Sequence, residues 1–255
     1  MSTYGLWLSA AGMKVNDHRQ TIHANNLANA QTTGFKHDLA VVAQRRVQSR
    51  ESAGGGRLAH GVLDDLAGGI QVLPPQHTFE QGSIERTGKP LDVAIDGNGF
   101  FAVSDGTTTR YTRDGEFTTN AAHELVLSAG DGKWKVMDEA GGTIHLDETL
   151  GAVTISGRGG VQQGQQEVAR IGVYAPDDRT KMQKSGENLF DPHGAEMHAS
   201  DARIVPESRE ESTYDVMNGL TAMIEASRAY QMNATLLQLQ DQVTGTLISS
   251  VGRIA

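Results

Sequence analysis

Three asparagines, Asn25, Asn26 and Asn29, crowd one short stretch, Ala24–Lys36, written ANNLANAQTTGFK. An amide both donates and accepts hydrogen bonds, and residues four apart share a helix face. Asn25 and Asn29 are therefore suited either to fixing the register of a partner or to a frayed helix end with solvated amides. Gln31–Gly34 closes the helical pattern, because Gly34 adopts positive φ without a Cβ penalty, and Phe35 and Lys36 follow as an anchor. Catalytic chemistry finds little support elsewhere. The closest histidine pairs, His18/His23 and His193/His198, are five apart, which on a helix sends them to different faces and disfavours a shared metal. Asp96-Gly97-Asn98-Gly99 has the start of a calcium loop, but Phe100, Phe101 and Thr107 stand where ligands are required. Gly88-Lys89 and Gly132-Lys133 lack the earlier glycine of a phosphate loop, and no G-x-S-x-G elbow occurs. Arg110 and Arg113 are expected to pair with nearby carboxylates rather than to bind substrate. No catalytic residue, cofactor or metal is predicted.

The totals narrow the class further. A net charge of −9 and a pI near 5.4 argue against a general nucleic-acid binder, which needs a basic surface. The complete absence of cysteine excludes disulfides and thiolate metal sites. The first twenty residues lack a basic region and a long apolar core, so no cleaved secretory signal is expected. No run approaches the roughly 18 apolar residues of a spanning helix, so no direct membrane insertion is expected.

The elements that carry these residues follow from periodicity. Tyr4, Leu8, Ala11, Val15 and Ile22 form one apolar row of a helix, with Leu6, Ala10, Met13, Ala24 and Leu27 beside it. The small residues Ala10, Ala11 and Gly12 would admit a close neighbour. From Asp38 to Pro75 the pattern weakens around Gly54-Gly55-Gly56, which predicts an extended connection. Short period-two runs then follow: Leu91–Ile95, Phe100–Val103, Thr107–Thr112, Glu116–Thr119, Leu125–Leu127, Trp134–Met137, Thr143–Leu146, Val153–Ile155 and Val168–Tyr174. After Pro206 a helical period returns, with Val216, Leu220, Met223, Ser227, Tyr230, Ala234, Leu237, Asp241, Thr244, Ile248 and Val251 advancing by four and three. Met232, Leu236, Leu239 and Val243 form a second apolar row that one partner helix cannot cover together with the first. The expected fold class is α+β: discontinuous N- and C-terminal coiled-coil-like helices with an inserted all-β domain. The expected boundaries are 1–30 for the first helix, 31–75 for the linker, 76–200 for the β domain and 201–255 for the long helix.

Three motifs, ANNLANAQTTGFK, PLDVAIDGNGFFAV with RYTRDGEF, and MIEASRAYQMNATLLQLQDQ, resemble in that order the flagellar basal-body rod and hook family of axial proteins. The length and the phrasing Thr87–Ile95 resemble its rod subunits, the proximal more than the distal. The resemblance implies a structural subunit of the basal-body rod whose terminal helices form the inner layer of a torque-transmitting helical tube. It also implies export by the flagellar type III apparatus, with copies of the same chain and neighbouring rod and hook proteins as partners. Asn25, Asn26, Leu27, Asn29, Gly34 and Phe35 match the N-terminal family motif. Met223, Ile224, Arg228, Tyr230 and Asn233 match the C-terminal one, and Leu220 and Leu237 join them as assembly residues on the heptad row. Ser212–Asp215, before the last helix, departs from the family pattern. The alternative function is an oligomeric carbohydrate- or ligand-binding β domain with helical assembly ends.

Overall fold

The computed structural model describes residues 3–44, 69–147 and 150–251. These fall into two compact units. One is helical and is built from residues 3–28, 38–44, 69–76 and 215–251; the other is β-rich and is built from Asn29–His37 and His77–Tyr214. The order is helix, β-rich middle, helix, which is the α+β class expected. The glycine run at 54–56 lies outside the described residues.

The helical unit holds α1 (Thr3–Ala28) and α2 (Val216–Val251). At 1.5 Å per residue α2 is about 54 Å long. It begins at Val216 because Asp215 caps it: the carboxylate Oδ1 accepts from the backbone N–H of Met217 at 2.9 Å and of Asn218 at 3.2 Å. The departure from the family pattern at Ser212–Asp215 thus supplies a good N-cap. Two short antiparallel strands, Val42–Gln44 and Ile70–Val72, accompany the helices. Gly69, at φ +100°, precedes the second strand, and a Cβ there would collide with the Trp7 ring at 1.9 Å.

In the β unit the strand Phe100–Ser104 is the hub of a nine-stranded sheet. It pairs antiparallel with Thr109–Thr112 on one edge, through Phe101↔Thr112 and Ser104↔Thr109. Along its other edge it pairs with Lys135–Val136 and then with Val173–Pro176. Alternation explains the double phenylalanine, because successive side chains leave a strand on opposite faces. Phe101 enters the main core with Val93, Ile95, Phe117, Leu125 and Ile204, while Phe100 packs on the other face with Met182 and Phe190. Both faces are covered, so the strand is apolar and buried from Phe100 to Val103.

Three expectations change. Thr143–Leu146 makes only isolated bridges, at Met137↔Thr143 and Glu124↔His145. The run Val168–Tyr174 is two strands, Gln166–Arg170 and Val173–Pro176, divided where Gly172 lies against the backbone of Asp138. Residues 201–214 are not helical: Arg203–Pro206 pairs with Val93–Asp96, and Ser208–Glu210 pairs with Ile84–Arg86. Pro206 and the positive φ of Glu207 (+52°) separate these two strands, where a helix could not continue.

Candidate assembly interface

Within the helical unit α1 and α2 run antiparallel, because Gly5 meets Gln240 and Gly12 meets Asn233. A Cβ on Gly12 would stand 2.9 Å from Asn233 Oδ1, so the two backbones approach closely there. Asn16 and Asn233 are built alike: each Nδ2 donates to the carbonyl four residues back in its own helix, to Gly12 at 3.0 Å and to Ala229 at 2.9 Å. The side of α2 shielded from water includes Gly219, Met223, Ala226, Tyr230, Asn233, Leu237, Gln240 and Thr244, again spaced by four and three. With Ser227 and Ala234, also half-buried, it shares Met223, Tyr230, Leu237 and Thr244 with the predicted row, whose Val216, Leu220, Asp241 and Ile248 are exposed. Apolar counting gives no weight to the other half of the seam, which is Gly, Ala, Asn and Gln. On α1 the corresponding small and polar residues are Gly5, Ser9, Gly12 and Asn16.

The second predicted row is uncovered. Met232 is 66% exposed, Leu236 47%, Leu239 52% and Val243 41%. Ile224 is also exposed, as are Asn25 and Arg228. Leu27 is half-buried. Asn26 is different: it is buried, its Nδ2 donates to Asp38 O at 2.8 Å and its Oδ1 accepts from Asp38 N at 2.9 Å. This amide closes a turn of its own chain and does not face outward.

The remaining predicted residues belong to the β unit. Asn29 Oδ1 accepts from Thr32 Oγ1, and Gly34 and Phe35 are buried. Gly34 has φ +65° and donates its N–H to Glu210 O at 2.7 Å. A Cβ there would come within 2.4 Å of the Arg113 backbone. Phe35 lies under the Lys184 ammonium, 4.0 Å from the ring centroid, and its carbonyl accepts from Thr213 N. Gly34 and Phe35 are thus held inside this unit, so their predicted place at an interface between subunits is revised to an internal one.

Beside them lies a buried ionic clasp that sequence reading did not find. Lys36 Nζ donates to Glu210 Oε1 at 2.5 Å and to Glu80 O, while Arg113 Nη1 donates to Glu210 Oε2 at 3.1 Å. Gly82 N adds a bond to Glu210 Oε1 at 2.8 Å. Lys36, Arg113 and Glu210 are all buried. Burial lowers the pKa of Lys36 and of Arg113, and the Glu210 carboxylate opposes that shift in both. The expected carboxylate pairing of Arg110 and Arg113 is present, with Asp191 at 2.7 Å and with Glu210. Among the described residues no group of three or more His, Asp or Glu is placed to hold a metal ion.

Comparison with known proteins fits this architecture segment by segment. "Flagella basal body rod protein" matches residues 9–36, "Flagellar hook protein FlgE/F/G D1 domain" matches 94–163, and "Flagellar basal body rod FlgEFG protein C-terminal" matches 210–250. The chain is 36% identical to the flagellar basal-body rod protein FlgF of Caulobacter vibrioides, over 91% of each chain. The chain belongs to the flagellar basal-body rod family. It is similar also to the FlgG proteins of Caulobacter vibrioides (30% identical, 92% of this chain and 94% of the relative) and Borreliella burgdorferi (29%, 94% and 96%). As a rod subunit of FlgF/FlgG type it is a structural protein of the flagellar basal body. No helix of the described residues is long and apolar enough to cross a membrane. The family segments also locate the clasp, since Lys36, Arg113 and Glu210 fall one in each of the three.

Proposed function

We propose that this rod subunit assembles by coiled-coil packing of its terminal helices against those of neighbouring copies and of other axial proteins, forming a helical tube that transmits torque. The observation that carries this is the uncovered row Met232, Leu236, Leu239 and Val243 on a helix whose adjoining face is already taken by α1. Burying such side chains contributes about 1.5–3 kcal/mol each, repeated in every copy. Leu220, Ile224 and Arg228 extend the interface toward the start of α2, and Asn25 extends it on α1. Met223, Tyr230, Asn233 and Leu237 act from the seam with α1, holding α2 so that its outer row is presented. The chain is of the proximal, FlgF-like kind: within one organism it is 36% identical to FlgF and 30% to FlgG. Transit through the flagellar export apparatus belongs to the same proposal, and a chain without cysteine has no disulfide to reduce before unfolding.

The double substitution Leu236→Asp and Leu239→Asp tests it. Both side chains are exposed, so the monomer keeps its circular dichroism and melting behaviour while self-association and incorporation into isolated basal bodies are lost. A double variant that assembles like the unsubstituted protein removes the outer row from the interface.

A further inference from the structure

Rod assembly leaves unused a cavity of about 80 Å³ in the β unit, lined in part by Phe79, Asn98, Phe100, Arg113, Pro176 and Arg179. Arg113 is the residue to follow. Its side chain is only 4% exposed, its Nη1 is engaged by Ile95 O and Glu210 Oε2, and its Nη2 donates to Gly97 O at 2.6 Å. Its Nε is buried with no hydrogen-bond partner among the described residues. That N–H is closed to water-sized atoms, so the donor left for a ligand is the second N–H of Nη2, beyond the one given to Gly97 O. The Arg113 guanidinium also faces the Phe100 ring at 5.4 Å. Charge is unbalanced in the same place. Lys36, Arg113 and Arg179 act on one another as like charges, and Glu210 is the carboxylate that answers the first two. Asp178, next to Arg179 in the chain, spends its Oδ1 on Thr180. No ion pair joins Arg179 to a carboxylate among the described residues.

We propose that this cavity is a binding site for a carboxylate group, held by the Arg113 and Arg179 guanidiniums, with the attached methyl or methylene carbon against Phe79, Phe100 and Pro176. A carboxylate fits better than a phosphate. The second N–H of Arg113 Nη2 and one guanidinium fork satisfy two oxygens, whereas a phosphate would bring further oxygens against aromatic and proline walls. Two sources supply the group: a small free carboxylate, or an Asp or Glu side chain of another molecule of this acidic chain.

The test uses the full-length chain with ¹⁵N-labelled arginine, following the Arg113 Nε–Hε resonance during addition of sodium acetate at constant ionic strength. A saturable shift is expected, weakened about tenfold or more in Arg179→Gln. Ala175→Leu, which fills the cavity and keeps both guanidiniums, should abolish it. Arg113 itself is left intact because Glu210 depends on it. Inorganic phosphate, titrated in parallel, should bind more weakly. A response equal to that of sodium chloride, a response unchanged in Arg179→Gln, or tighter binding of phosphate than of acetate overturns the assignment. Raising the protein concentration without acetate distinguishes the sources. If a neighbouring side chain supplies the carboxylate, the resonance moves on self-association and acetate competes; with a free carboxylate as ligand it moves only on acetate addition.

Discussion

Glu210 is the residue on which the β unit closes, since two cations and a backbone N–H converge on one buried carboxylate. Lys36→Met leaves Glu210 with Arg113 and Gly82, whereas Glu210→Gln leaves two buried cations facing an amide. The second strands two buried charges and should cost about 3–5 kcal/mol or more, and the first, which leaves a balanced pair, less. Urea unfolding followed by fluorescence of the buried Trp134 measures both, and equal, small losses would show that the clasp is not stabilising. A Gly34 that served only an interface between subunits would let Gly34→Val spare the β fold. The substitution should instead destabilise that unit, because the new side chain meets the Arg113 backbone at a positive φ. A second residue sets a pH dependence. Burial raises the pKa of Asp114 from 3.8 to about 7. The folded form therefore holds a proton that the unfolded form releases, so the stability it contributes is present below about pH 4 and is lost as pH rises toward 7. Asp114→Asn removes that loss, so the variant's gain in stability, read from urea unfolding, should be larger at about pH 8 than at about pH 5, by at most about 3 kcal/mol. Equal gains at the two pH values would refute it. That Arg113 pairs with a carboxylate was legible from its segment; which carboxylate was not, because Glu210 lies 97 residues away.

At the scale of elements, the two helices show what periodicity reveals and what it hides. The four-and-three advance along α2 was legible, and so was the uncovered second row. The small and polar half of the inner seam was not, because apolar counting gives no weight to Gly5, Gly12, Asn16 or Asn233, whose small size or back-bonded amide lets the helices approach. Gly12→Leu should consequently part α1 from α2 in the isolated protein, lowering helical ellipticity and the melting temperature of the helical unit while leaving Trp134 fluorescence unchanged. Gly12→Ala, which needs only a small shift of the Asn233 amide end, should be far milder. Equal behaviour of the two variants would mean that the close approach does not matter. The strands were legible where turn residues bounded them, as at Asp105-Gly106 between Phe100–Ser104 and Thr109–Thr112. Ser208–Glu210 was hidden by its polarity, although Ser208 and Glu210 are among the most buried polar side chains.

At the scale of the whole molecule the β unit reaches beyond residues 76–200 in both directions. It takes in Asn29–His37 and residues 201–214, because backbone bonds such as Gly34 N to Glu210 O, Glu211 N to Ser83 O and Thr213 N to Phe35 O stitch three distant segments together. Those bonds leave no trace in side-chain patterning, which is why the joins were misplaced while the order of helix, β insert and helix was not. Stability is accordingly uneven. The hub Phe100–Ser104 is paired on both edges and buried on both faces, while α2 outruns α1 beyond about Thr244, since α1 begins only two residues before the Gly5–Gln240 contact. In the isolated chain, amide exchange should be slowest at Phe100–Ser104 and fastest within the helices at Gly245–Ser250. Assembly should then raise protection along Met232–Val243 and leave the hub as it was, because the uncovered row is what neighbours bury. Protection rising in the β unit with α2 unchanged would assign the subunit contact to the wrong element.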